Sequence, residues 1–200
     1  MNLMKPFSES TEQNKQVILA IIQPLFSKLK RVLEIASGTG QHAVYFSQVM
    51  PHLDWQPSDL ENALPGIQSW VNESGLKNLN PPIALDVSSP NWPQQTFDAI
   101  FSANSLHIMS QQHVKDFFSN VGRVLDINGL IAVYGPFNEH GQFTSESNQH
   151  FDAWLKSCNP DSGIKAFEWC NELAQKAGFK LIEDHPMPQN NRILVWQKMA

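Results

Sequence analysis

RVLEIASGTGQH, residues Arg31 to His42, decides how the rest of the chain is read. Val32 to Ala36 is a short apolar run interrupted by one carboxylate, Glu34, and reads as a buried first strand. Ser37, Gly38, Thr39 and Gly40 read as a tight turn, and residues 41–50 continue as a helix that Pro51 stops. A strand, a glycine turn and a helix near the start of an α/β chain form the unit at which nucleotide-like cofactors bind.

Outward from this unit the pattern alternates. Residues 1–9 read as a loose N-terminal arm, and Ser10 or Thr11 as the cap of a helix reaching about Lys28. Strands are predicted over 53–58, 82–85, 97–103 and 130–134, with helices over 61–74 and 110–125 between them. An irregular, partly helical insertion is predicted over 135–162, then a helix over 166–177 and two strands over 179–185 and 191–198. Strands alternating with helices imply a mostly parallel sheet with helices on both faces. The last two strands have no helix between them and must pair antiparallel. A plain dinucleotide fold keeps alternating to its end, so this hairpin points to the methyltransferase variant of the doubly wound fold.

Two hundred residues are expected to form a single domain. Only 16% of them are charged, and the net charge is -5. With no basic tail or cluster, nucleic acid is not an expected partner, and a small molecule is. No apolar stretch is long enough to span a bilayer, and the first fifteen residues lack a signal-peptide core, so no membrane association and a cytoplasmic location are expected. Cys158 and Cys170 have no metal-ligand spacing and read as free thiols; no metal site is expected. Oligomeric state is not legible.

Gly38-Thr39-Gly40-Gln41-His42-Ala43 fits G-x-G-x-x-[GA], and Asp59 is suitably placed for a ribose, so NAD fits this fingerprint alone. Glu34 argues for another cofactor. A pyrophosphate beside it would face a like charge, whereas S-adenosylmethionine has no phosphate and carries a sulfonium and an ammonium. Acidic residues also follow three successive strands: Glu34, Asp59 and Asp86. Asp59 can accept from two ribose hydroxyls and Asp86 from an adenine amino group. Each has a structural alternative: Glu34 can pair with Arg31, and Asp59 can cap the following helix.

VLEIASGTGQHAVYF, WQPSDL, PPIALDV, NSLHI, YGPF, SNQHFDAWL and MPQNN together resemble the DUF938 family of class I S-adenosylmethionine-dependent methyltransferases, the methyltransferase-like protein 26 type. The resemblance covers nearly the whole chain. It implies a single-domain Rossmann-like methyltransferase fold, a seven-stranded, mostly parallel sheet with an antiparallel last strand. The cofactor would lie across the carboxyl edge of the sheet's first half. By position in the motif, Gly38 and Gly40 would line the methionine part, Asp59 would hold the ribose, Asp86 and Val87 would meet the adenine, and Asn104 would sit by the methionine end. Glu34, Ala36, Ser37 and Leu60 complete the expected cofactor set. Ala36 stands where the general pattern has its first glycine. Asn14 remains from the family's R-N-R-x-P, but the arginine and proline do not.

Methyl transfer needs orientation and exclusion of water, helped by a base where the acceptor loses a proton. His107, just after the fourth strand, is the candidate base; packing is its structural alternative. Asn14, Tyr134, Phe137, Asn148, Asp152 and Asn191 are candidates to line an acceptor pocket. The six tryptophans are scattered and read as packing residues. The resulting expectation is a methyltransferase acting on a small molecule. A non-catalytic protein that binds the cofactor or its demethylated product, S-adenosylhomocysteine, is one alternative, and an NAD-dependent oxidoreductase is another.

Overall fold

In a computed structural model describing residues 5–200, β1 (Arg31–Ile35) lies near the middle of one sheet. The other strands are β2 (Asp54–Asp59), β3 (Ile83–Ala84), β4 (Phe97–Ala103), β5 (Leu125–Asn138), β6 (Lys165–Ala166), β7 (Phe179–Met187) and β8 (Asn191–Lys198). Seven run in the order β3-β2-β1-β4-β5-β8-β7, and the two-residue β6 pairs with the far end of β5. β1 pairs parallel with β2 and β4, as do β2 with β3 and β4 with β5. β8 runs antiparallel to both β5 and β7, as its hairpin connection requires.

Strand alternation assigns every side chain of β1 to a layer. Val32 joins a core with α1 (Glu9–Phe26), α2 (Gln41–Val49) and α3 (Leu64–Ser74). Leu33 and Ile35 face the opposite core, built with α4 (Gln111–Val121) and α6 (Phe167–Lys176). In the first core Phe46, Trp55 and Phe101 meet with ring centroids 5.4 to 5.9 Å apart and none is exposed. Complete burial of each ring contributes about 2–3 kcal/mol.

Several boundaries differ from the sequence expectation, among them the end of α4, expected at Leu125 and found at Val121. The cap of α1 is Ser8, whose hydroxyl accepts from the Thr11 N–H, because the Ser8 backbone is pinned by Gln41. Residues 5–8 are therefore not a loose arm: Lys5 pairs with Glu73 over the Trp70 ring, and the Pro6 carbonyl accepts from the Trp70 indole. Residues 1–4 of the expected arm lie outside the described residues. β5 is the largest difference. It absorbs Asn128-Gly129 as a register irregularity and runs on to Asn138, because β8 pairs along it as far as Pro136 and β6 pairs with Phe137 and Asn138. The insertion shortens accordingly, and its helix is α5 (Glu146–Cys158).

Gly40 has a conformational reason to be glycine. Its φ is +90°, and an added Cβ would lie 3.1 Å from the Ile67 side chain and 3.2 Å from its backbone on α3. Gly40→Ala is expected to cost about 1–2 kcal/mol from the left-handed conformation and close contact together. Chemical denaturation checks this; a loss under a few tenths of a kcal/mol refutes the close approach.

Candidate functional site

The carboxyl ends of β1, β2 and β4 open onto a cavity of about 590 Å³. It sits where the strand order reverses between β1 and β4, the place at which open α/β sheets bind ligands. Ala36, Ser37, Gly38, Asp59, Leu60, Asp86, Val87 and Asn104 all line it. Gly40 does not line it but opens α2 against α3. Ala36 has a φ of 59° and Asn104 of 56°. For a non-glycine residue this costs about 1 kcal/mol or more, and such strain clusters at ligand sites.

Asp59 organises the turn. One carboxylate oxygen accepts from the Gly38 N–H and the other from the Leu60 N–H, both at 2.7 Å. Burial raises its pKa, and the two backbone bonds oppose that rise. Asp86 is exposed; one of its oxygens accepts from the Ser88 N–H and hydroxyl, which lowers its pKa. The turn's own donors are largely consumed. Ser37 N–H donates to Ser58, Gly40 N–H to Ser37, and Gln41 N–H to the Thr39 hydroxyl. With the Gly38 N–H held by Asp59, the turn offers a pyrophosphate little of the N–H cradle a dinucleotide fold presents.

Glu34 does not line the cavity. Strand alternation turns it, with Val32, toward the aromatic core, where it is 1% exposed and accepts from the Trp55 indole at 3.0 Å. Burial lifts its pKa to about 7, against hydrogen bonds from Trp55 and Ser37. Glu34 therefore supports the turn from below. The charge that the sequence reading set beside the cofactor therefore does not face the cavity.

α1 forms a wall shared by two cavities. Gln41 accepts from the Ser8 N–H at 2.6 Å and donates to Glu12 at 2.7 Å, binding α1 to the glycine turn. His42, its pKa held down at about 3 by burial, hydrogen-bonds Asn14 Oδ1 through Nε2 at 2.7 Å. Beyond α1 a second cavity, about 710 Å³, is lined by Asn14, Asn104, His107, Tyr134, Asn148 and Asn191 among others. Ser10, Asn104 and Ile108 line both cavities.

His107 is 5% exposed, and burial, with the Lys165 charge nearby, lowers its pKa to about 4. Its loop is held by consecutive carbonyls. His107 O accepts from the Gly163 N–H, Ile108 O from the Ser162 hydroxyl, and Met109 O from Lys165 Nζ. Gly135 leaves room beside it: a Cβ there would lie 3.6 Å from His107 Nδ1 and 3.9 Å from Asn104 Oδ1. Burial raises the Tyr134 pKa, and the neighbouring Asn14 and Asn191 side chains oppose that rise.

Phe137 and Asp152 do not line the second cavity. Because β5 continues past Tyr134, alternation places Phe137 with Ile131 and Val133 in the opposite core, 1% exposed. Asp152 is buried in α5, where it accepts from the Ile164 N–H at 2.8 Å and pairs with Lys156 at 2.6 Å. Sequence reasoning missed Ser8, Ser10, Gln13, Ile108, Phe151 and Trp154 as wall residues. For Trp154 a signal existed. It stands three residues from Phe151, so the two share one face of a helix.

Residues 5–198 match the profile of the family described as "Protein of unknown function (DUF938)". The chain belongs to the DUF938 family. Among solved structures, this DUF938 chain is similar to the S-adenosylmethionine-dependent methyltransferase SibL, at 21% identity and a TM-score of 0.81 over 96% of this chain and 56% of that one. It is also similar to an O-methyltransferase family protein from Burkholderia thailandensis, at 12% identity and a TM-score of 0.85 over 96% and 57%. A third is human N-acetylserotonin methyltransferase in complex with SAM, at 13% identity and a TM-score of 0.80 over 96% and 53%. At these identities the likeness establishes the fold, a Rossmann-like methyltransferase fold. The DUF938 chain spans just over half the length of the solved structures it matches. Among the described residues, no helix is long and apolar enough to cross a membrane.

Proposed function

We propose that this chain is an S-adenosylmethionine-dependent methyltransferase, folded as one domain, that methylates a small molecule. The observation that carries the reading is the meeting of two cavities at Ser10, Asn104 and Ile108, one with Asp59 in its wall and the other with His107. The first suits S-adenosylmethionine. Asp59 offers its remaining lone pairs to the ribose hydroxyls, Leu60 and Val87 supply apolar surface, and Asp86 has one oxygen without a partner among the described residues for an adenine amino group. Bound there, the cofactor supplies an electrophilic methyl group and a neutral thioether leaving group. The fold neighbours that carry SAM or SAH in their crystals support this assignment.

The chain's residues then position and dry the acceptor. α1 and α5 cover the second cavity, and the bonds from residues 162–165 hold the His107 loop in place. With its pKa near 4, His107 is neutral at physiological pH and can accept a hydrogen bond that orients an acceptor hydroxyl or amine, but so weak a base removes little of its proton.

Titration calorimetry with S-adenosylmethionine, S-adenosylhomocysteine and NAD tests the cofactor. One-to-one binding of the first two, with no heat from NAD, is expected; binding of NAD alone overturns the reading in favour of an oxidoreductase. A metabolite screen with methyl-labelled cofactor then separates enzyme from binding protein, since only an enzyme transfers label.

A further inference from the structure

The second cavity specifies more than "small molecule". Among the described residues lining it there is no Asp, Glu, Lys or Arg. Its polar groups are carboxamides (Gln13, Asn14, Asn104, Asn148, Gln189 and Asn191), together with hydroxyls and one imidazole. A charged acceptor would lose part of its hydration there and meet no counter-charge, which costs free energy that a neutral one does not lose. Carboxamides instead present a donor and an acceptor on the same side chain.

Several of these groups have hydrogen-bonding capacity to spare. Asn148 is 5% exposed; its Nδ2 donates to the Thr144 hydroxyl and the Asn190 carbonyl, while its Oδ1 has no partner among the described residues. His107 is equally buried, and neither of its ring nitrogens has a protein partner there. None of these open atoms is among the fully buried unpaired ones, so each is reached from the cavity and is free to bond a ligand there.

One wall is aromatic. Phe151 and Trp154 stack with ring centroids 5.8 Å apart and planes 15° apart, and the His107 ring meets Phe151 edge-on at 5.2 Å. A flat π-system fits such a wall better than a branched aliphatic one.

We infer that the acceptor is an uncharged, planar aromatic or heteroaromatic molecule bearing both a hydrogen-bond donor and an acceptor. This inference rests on the second cavity being the acceptor site of the proposed methyltransferase. Binding to that cavity does not require methyl transfer, so the two can fail separately.

The test is calorimetry on the protein saturated with S-adenosylhomocysteine, using three probes of one shape: indole-3-acetamide, indole-3-acetate and tryptamine. S-adenosylhomocysteine saturation reports on the cofactor assignment, and the probe series reports on this one. The neutral amide is expected to bind at least about tenfold more tightly than either ion. Gln13→Glu, on the exposed surface of α1, is expected to improve tryptamine binding about fivefold relative to the amide. An amide preference under tenfold in the wild type, or no saturable binding of the amide at millimolar concentration, overturns the inference.

Discussion

Asp59→Ala is expected to weaken S-adenosylhomocysteine binding by about a hundredfold, close to 3 kcal/mol. Two losses add. The carboxylate is the acceptor for the ribose hydroxyls in the proposed site, and a hydrogen bond to a charged group is worth about 1.5–3 kcal/mol. It also accepts from Gly38 and Leu60, so its removal frees the N–H groups that shape the turn. Asp59→Asn is no gentle control, because an amide NH₂ would face one of those two donors. Calorimetry alongside thermal melting checks the prediction. A folded variant that binds within threefold of wild type would show that the ribose is held elsewhere.

Glu34→Gln is expected to stabilise the protein at pH 8 by about 3 kcal/mol, or roughly 6–12 °C in Tm, and to give no gain at pH 4.5. The sign follows from burial. The Glu34 pKa rises from 4.5 in the open chain to about 7 in the fold. Its contribution to stability is therefore fully present below about pH 4.5 and is lost as pH rises toward 7. Above that, an ionised carboxylate sits among Trp55 and its neighbours, 1% exposed. Glutamine keeps an oxygen for the Trp55 indole and carries no charge. His42 and His107 have lowered pKa values and lose stability in the opposite direction, as pH falls below 6.5, but both are present in each protein and cancel in the comparison. Melting curves at the two pH values decide it; an equal change at both, or a loss at pH 8, contradicts the buried-acid account. Glu34→Gln is also expected to reduce S-adenosylhomocysteine affinity far less than Asp59→Ala, since Glu34 lies beneath the cavity wall.

Much of the lining of the first cavity was legible because it depends on local order along the chain. Each strand of an open parallel sheet ends at the same edge, so residues just after successive strands must gather there whatever the details of packing. Gly38, Asp59, Asp86 and Asn104 are such residues, and all four line the cavity. The antiparallel ending was legible for a similar reason, since the three residues between β7 and β8 leave no room for a crossover helix.

Glu34 and Phe137 illustrate what sequence order leaves open. Both sit on strands at the expected edge, yet both point away from the site. A side chain's face is set by parity along the strand, and parity is useful only when the strand's extent and its packed faces are known. β5 runs on to Asn138 because β8 pairs with it as far as Pro136, across more than fifty residues of chain, and β6 pairs with Phe137 and Asn138 beyond. The second cavity was less legible still: α1, the β4–α4 loop, β5, α5 and the turn before β8 supply its walls. The sequence by itself determined the α/β order, the glycine turn and the carboxylates at the strand ends, all consequences of short-range pattern. Tertiary structure alone decided that Glu34 supports the turn from the core, that α1 divides two cavities, and that the second is walled by carboxamides and stacked rings without a charge, because each depends on which distant segments pack together.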